Sequence, residues 1–360
     1  MKNLLIITGA GASYDAADPA FYNVEIERRP PLTDQLFQVG NLKQPGAANN
    51  NPLVVEYLIS NPNAARIGSE RPTAKSLESY LSELRSHKSK EVRKRYWAVP
   101  IYLHDLFLAV SNGYIKSKAP GVPSNYTALI SAILNSNYEQ IIWINLNYDL
   151  LADYAIKDSW KNDFKTLDDY MNIKTKEDGL EIKYTKPHGS VDWFYSKNNP
   201  MTWDQIRHGK VAIDDNFEES LSKEVYTHYY ITEELKYSDD KKKLHAYPAI
   251  LAPLGKYSYV CNKHIETIIP ILKDTASVLC IGFSALDGDV LELIEKHMPK
   301  IEKIKMVNKD INQSRDAYQR VKSYYEKNGK KINLIDSYVT CARTFTSFIR
   351  SGEVHDWLSQ

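Results

Sequence analysis

Residues 4–13 read Leu4-Leu5-Ile6-Ile7-Thr8-Gly9-Ala10-Gly11-Ala12-Ser13. Four branched apolar residues in succession show no alternation with polar ones. They predict a strand covered on both faces, as in a parallel sheet. Two glycines then let the backbone turn sharply, and Ser13 or Asp15 is placed to cap the helix that follows. Strand, glycine turn and helix start together make a place where N–H groups and the positive helix end meet an anion, as in dinucleotide folds. The ordinary dehydrogenase fingerprint is not met, because Tyr14 stands where its third glycine belongs. No strand ending in an acidic residue follows about twenty positions later; that region reads Glu27-Arg28-Arg29-Pro30-Pro31-Leu32-Thr33-Asp34. Taken alone, the turn fits an anion site and a plain strand-to-helix joint equally well.

Bulk properties exclude several classes. The 360 residues can bury a sizeable core, and 46 basic against 45 acidic residues give a net charge of +1. Such a balance creates no field that would draw the chain to nucleic acid or an anionic membrane. No apolar run has the length of a membrane span, and no signal-peptide pattern opens the chain. The three cysteines, at 261, 280 and 341, are too scattered for a disulfide framework or a four-cysteine zinc site. The expectation is a cytoplasmic protein with reduced thiols and no metal.

Downstream of a loop at 15–33, Thr33 is placed to cap a short helix carrying Leu36, Phe37 and Val39. Residues 40–63 read as irregular, and Leu77, Leu81 and Leu84 mark a helix. The basic run 88–95 reads as a solvated helix face. Further helices at 101–110 and 126–134 complete a helical block of about 33–136, set between the first strand and the second. That second strand, Ile141 to Leu146, ends in Asn147-Tyr148-Asp149, where polar groups reach a ligand beyond a carboxyl end, or where Asp149 caps the next helix. Residues 157–182 read as irregular. In Lys186-Pro187-His188-Gly189-Ser190 the proline and glycine keep His188 on a loop, which suits a catalytic group and a structural one alike. Residues 196–246 read as a charged surface excursion. From 247 strands and helices alternate: strands at 247–253, 277–281, 304–307 and 331–335, helices at 264–272, 290–298 and 342–349, and one that Asp310 caps and that stops at Asn328-Gly329. Asp287, Asp289 and Asp310 stand at helix starts, and Gly282-Phe283-Ser284 and Asn308 at strand ends. The fold class expected is α/β, a Rossmann-like parallel sheet with a large helical insertion after its first strand.

Gly-Ala-Gly-Ala-Ser at 9–13, Asn-Tyr-Asp at 147–149, His-Gly-Ser at 188–190, Gly-Phe-Ser at 282–284 and Val-Asn at 307–308 occur in the order of the sirtuin (SIR2) series. The chain resembles SIR2-like proteins of the prokaryotic type, NAD-degrading effectors of antiphage defence. The resemblance implies a single SIR2/DHS-type NAD-binding domain over 1–360. It assigns Gly9, Ala10, Gly11, Ala12 and Ser13 to the NAD diphosphate, and Asn147 and Asp149 to the nicotinamide ribose and carboxamide. His188 matches the catalytic histidine, and Asn147 orients the attacking water or the ribose hydroxyls. Gly282 and Ser284 fall to the adenosine half and Asn308 to its ribose. Asp287 and Asp289 match a Ser-x-x-Asp-x-Asp continuation, read as support for the site rather than chemistry.

Two departures separate the chain from protein-deacylating sirtuins: it lacks their paired Cys-x-x-Cys zinc module and their Ile-Pro-Asp-Phe-Arg stretch. The expected activity is therefore NAD+ glycohydrolase, with NAD+ as substrate and His188 and Asn147 as the catalytic pair. Because an ungated NADase would kill its host, a defence-system partner protein or homo-oligomer is expected to control it. An NAD-dependent deacylase and a non-catalytic NAD or ADP-ribose sensor are the alternatives.

Overall fold

The computed structural model describes residues 2–16, 29–37, 54, 81, 83–117, 124–175, 179–197, 203–208, 221–227, 245–251, 259–327, 329–330, 339–342 and 344–360. The chain opens with β1 (Asn3–Thr8) and α1 (Ala10–Ala16), followed by α2 (Lys90–Ser117) and α3 (Asn125–Leu134). Next come β2 (Gln140–Asn145), α4 (Leu151–Trp160), α5 (Leu167–Met171), β3 (Ile173–Lys174) and β4 (Glu181–Thr185). A second group contains β5 (Gly189–Lys197), α6 (Trp203–Arg207), β6 (Leu221–Thr227) and β7 (His245–Ile250). The rest alternates: α7 (Asn262–Leu272), β8 (Thr275–Ile281), α8 (Gly288–His297), β9 (Lys303–Val307), α9 (Ile311–Lys327) and β10 (Val339–Ala342). Helices α10 (Phe345–Arg350) and α11 (Glu353–Ser359) follow. Among the described residues no helix is long and apolar enough to cross a membrane.

The main sheet runs β10-β9-β8-β1-β2-β4-β3. Its first six strands are parallel, and short β3 pairs antiparallel with β4. This is the expected α/β, Rossmann-like architecture. Side chains alternate between the faces of a strand, yet all six residues of β1 are buried. Both faces of the sheet are therefore covered. Each of Leu4, Leu5, Ile6 and Ile7 is fully buried, which stabilises the fold by roughly 2 kcal/mol per side chain relative to exposure.

A second core lies between α2 and the antiparallel sheet β6-β5-β7. Tyr102, Leu106 and Phe107 of α2 join Phe194 of β5, Trp203 of α6 and Tyr247 of β7. The indole of Trp203 donates to the Ala246 carbonyl at 2.7 Å, and Arg207 grips Asp105 at 3.0 and 2.7 Å. Helix α6, within the stretch 196–246, thus packs against the helical block.

Several expectations shift. The stretch 157–182, read as irregular, holds α5, β3 and the first two residues of β4, whose Glu181 and Lys183 break its apolar pattern; in the fold they pair with each other at 2.7 Å. Thr33 opens a single 3₁₀ turn rather than capping a helix, and the Leu32 N–H is met by Gln35. The strand that pairs with β9 is Val339–Ala342, whereas the one expected at 331–335 lies outside the described residues. So do Leu77, Val39, most of 40–63 and most of the 15–33 loop. Helix α11 was not foreseen.

Sheet order places a switch point between β1 and β8. From β1 the chain proceeds to β2 and β4 on one side, and from β8 to β9 and β10 on the other. At the carboxyl ends the two turns lie backbone on backbone: Gly9 donates to Ile281 O at 2.9 Å, Gly11 to Gly282 O at 3.3 Å, and Gly282 to Val307 O at 2.7 Å. A Cβ on Gly9 would sit 2.5 Å from Gly282 O, and one on Gly282 2.0 Å from Ala12 N. Gly282 also has φ +62°, where a side chain is strained.

Gly282→Ala is expected to lower the unfolding free energy by about 3 kcal/mol, combining overlap with backbone strain. Urea unfolding of the variant checks this, and a loss below about 1 kcal/mol would show that the two turns can separate cheaply.

Candidate functional site

Alternation along the turn after β2 decides where its three residues go. Tyr148 points into the second core, where its hydroxyl donates to the Leu251 carbonyl at 2.6 Å. Its neighbours Asn147 and Asp149 are buried beside Gly9 and Ser13. Asn147 Nδ2 lies 3.0 Å from Gly9 O, 2.9 Å from Ser13 Oγ and 3.3 Å from Tyr126 OH. A carbonyl oxygen can only accept, so Nδ2 is the atom that must face Gly9 and the amide orientation follows. Its two protons are taken. The Oδ1 atom is the end of Asn147 left to accept a hydrogen bond from a ligand.

Asp149 is 1% exposed. Its Oδ1 accepts from Ser13 Oγ at 3.1 Å and from Leu151 N at 3.0 Å, which starts α4. Its Oδ2 is buried with no hydrogen-bond partner among the described residues. Burial pushes this carboxyl above its ordinary range, against the opposing pull of the Lys186 charge and the two donors.

His188 stands on a turn closed by Gly189 N to Lys186 O at 2.9 Å. Gly189 has φ +87°, and a Cβ there would lie 1.8 Å from Ala249 O. Backbone bonds from Val260 N to Pro187 O (2.8 Å) and Leu251 N to His188 O (2.9 Å) hold the turn from outside. The imidazole reaches across to the other half of the sheet, where His188 Nε2 meets Asp287 Oδ2 at 2.9 Å. This turn follows β4 and Asp287 follows β8, so the pair arches over the ends of β1 and β2, which lie between those strands.

Lys186, on the same turn, is fully buried. Its ammonium donates to Asp149 O (2.6 Å), Ser190 Oγ (2.7 Å) and Asp153 Oδ2 (3.1 Å). Asp153 also accepts from Tyr184 (3.0 Å), while Tyr170 lies between Asp153 Oδ1 (3.3 Å) and Asp192 Oδ2 (3.2 Å). A phenol has a single proton, so two carboxylates cannot both accept from Tyr170. Asp153 also faces the Lys186 ammonium, which compensates its charge. Burial and then the Asp153 charge push the Asp192 carboxyl up, in the same sense. A further chain supports Asn147 from below: its N–H donates to Asn145 Oδ1 at 3.1 Å, Thr8 donates to the same oxygen at 3.0 Å, and Asn145 Nδ2 donates to Tyr184 at 2.7 Å.

Of the residues singled out from the sequence, Gly9, Gly11, Gly282, Ser13, Asn147 and Asp149 come together at the switch point. His188 joins them through its turn, since Lys186 binds the Asp149 carbonyl. Ser284 is exposed, and its carbonyl accepts from Arg320 at 2.8 Å. Asn308 lies beside it, with Nδ2 at 3.3 Å from Phe283 O. One expectation changes: the N–H groups of Gly9, Gly11 and Ala12 bond to backbone carbonyls and do not stand open for an anion. Tyr126, Asp153, Lys186 and Asn145 were not foreseen. The only signals for them were a lysine in a loop otherwise built of small residues and an aspartate one helical turn beyond Asp149.

No family model matches the sequence, and no curated protein matches it. Among solved structures the chain is similar to Sir2Tm bound to a propionylated peptide, at 12% identity over 100% of this chain and 94% of that one, with a TM-score of 0.38. It is similar to a Sir2 homologue in complex with NAD at 11% identity, over 91% and 90% of the two chains, with a TM-score of 0.35. A Sir2 bound to acetylated peptide aligns at 11% identity, over 99% and 94%, with a TM-score of 0.37.

Lys186→Met is expected to destabilise by about 3–5 kcal/mol, because Asp153 is left as a buried charge without its cation. Asp153→Asn in the same chain should restore part of the loss. Urea unfolding of the single and double variants checks both, and a double variant no more stable than Lys186→Met would contradict the pairing.

Proposed function

We propose that this chain is an NAD+ glycohydrolase, splitting NAD+ with water into nicotinamide and ADP-ribose. The observation that carries the reading is the pair at the switch point. Asn147 has its Nδ2 tied down and its Oδ1 left to accept, beside the buried, unpartnered Oδ2 of Asp149. A buried acceptor without a donor is costly. The amide N–H₂ of a nicotinamide carboxamide would satisfy it, and Asn147 Oδ1 would hold a ribose hydroxyl or the attacking water. The Ala10 N–H, at the start of α1, would meet a diphosphate oxygen beside Gly9, Gly11, Ala12 and Ser13. The adenosine half would extend towards Gly282, Ser284 and Asn308.

In the reaction the bond from the ribose anomeric carbon to the pyridinium nitrogen breaks, and its electron pair leaves with nicotinamide as a neutral molecule. Departure from a cationic ring needs no acid. The protein's task is to hold the ribose so that its oxocarbenium-like transition state is stabilised. Water adds to the anomeric carbon, and its proton passes to His188 and then to solvent. The absence of a cysteine-built zinc module supports water as acceptor rather than acyl-lysine. The gated role in antiphage defence, through a partner or through assembly, is supported by the sequence resemblance alone.

Purified protein is expected to release nicotinamide from NAD+, alone or with the products of neighbouring genes. His188→Ala should lower the rate at least about 100-fold with its circular dichroism unchanged. Equal release by a folded His188→Ala protein would remove the histidine from the mechanism.

A further inference from the structure

We infer that Asp287 is the positioning residue of His188, an inference that rests on the reaction proposed for that site. The two carboxylate oxygens have separate partners. Oδ1 accepts from Val290 N at 3.0 Å and caps α8, while Oδ2 meets His188 Nε2 at 2.9 Å. The cap alone does not call for aspartate, since serine or asparagine serves as well. The second oxygen is what only a carboxylate can offer as a charged acceptor.

Both ends of the contact are held. Helix α8 is anchored by buried Val290, Leu291, Leu293 and Ile294. The histidine turn is fixed by its three backbone bonds and by Gly189, whose φ of +87° only glycine adopts without strain. The ring is thus oriented from the far side of β1, across the carboxyl ends of β1 and β2. An ionised carboxylate only accepts, so a neutral His188 carries its proton on Nε2 and its basic nitrogen is Nδ1. Once the ring takes a proton from water, the same carboxylate stabilises the imidazolium.

Burial works to raise the Asp287 carboxyl. The His188 charge and hydrogen bond, with the backbone N–H groups of Val290 and Asp289, outweigh it and hold the group below the usual carboxylate range. Asp287 therefore stays an acceptor at neutral pH. Among the described residues, the other ionisable side chains near the pair include Lys186, whose ammonium goes to Asp153, and Asp289, Glu292 and Tyr259, the last of which feels the charges of Asp289, Asp287 and Glu292. The Tyr259 hydroxyl donates to the Asp289 carbonyl at 3.1 Å.

The test uses the full chain and two variants that keep the helix cap, Asp287→Asn and Asp287→Ser. Ring nitrogen NMR signals of His188 are assigned by their loss in His188→Gln. The inference expects His188 to titrate about one pH unit or more lower in both variants than in the unaltered protein. It also expects kcat for nicotinamide release to fall at least about 100-fold, with KM for NAD+ within about threefold. A His188 titration within about 0.3 pH unit of the unaltered protein, in folded variants, overturns it. So does undiminished release by the variants. A shifted titration without nicotinamide release from any of the proteins supports the positioning of His188 and removes the hydrolase reading.

Discussion

A side chain on Gly9, Gly11 or Gly282 has nowhere to go, and the remainder of the site depends on that closeness. With backbone against backbone, the turn after β1 and the turn after β8 become one rigid floor. The crevice they border is the place where an open parallel sheet changes winding direction. The glycines were legible as a sharp turn. Much of the room they create is filled by another stretch of this chain.

Above that floor the polar groups are arranged so that almost every donor and acceptor is committed. Asn147 is fixed by Gly9, Ser13 and Tyr126, and from below by Asn145. Lys186 pairs with Asp153 inside a core of aromatic rings, and burial pushes the neighbouring Asp192 carboxyl up. Buried networks of this kind add little net stability, but they penalise any rearrangement heavily. They therefore suit a site that must present one amide oxygen and one carboxylate oxygen in fixed positions. Among the described residues of this network, Asp149 Oδ2 and Asp192 Oδ1 are buried without a partner, and the first of them lies beside Asn147.

Much of the sheet was visible in the sequence because parallel strands are continuous apolar runs; β1, β2 and β8 show this. β4 was hidden because Glu181 and Lys183 satisfy each other locally, which the pattern of apolar residues cannot reveal. The second core was hidden for another reason: α2 and β5 to β7 meet only in three dimensions. Within the site, the residues next to glycines and at strand ends could be named in advance. Tyr126 and Asp153 could not, since each acts through a hydrogen bond to a residue distant in sequence. Asp287 was visible as a helix cap, but its second oxygen, aimed at His188, was not.

In the proposed reaction water, rather than an acyl-lysine, receives the ribose. The most direct measurement is the product composition when NAD+ and an acylated-lysine peptide are offered together, read by mass spectrometry. The account predicts free ADP-ribose in equal amount to nicotinamide, with the peptide still acylated. O-acyl-ADP-ribose formed in step with a deacylated peptide would contradict it.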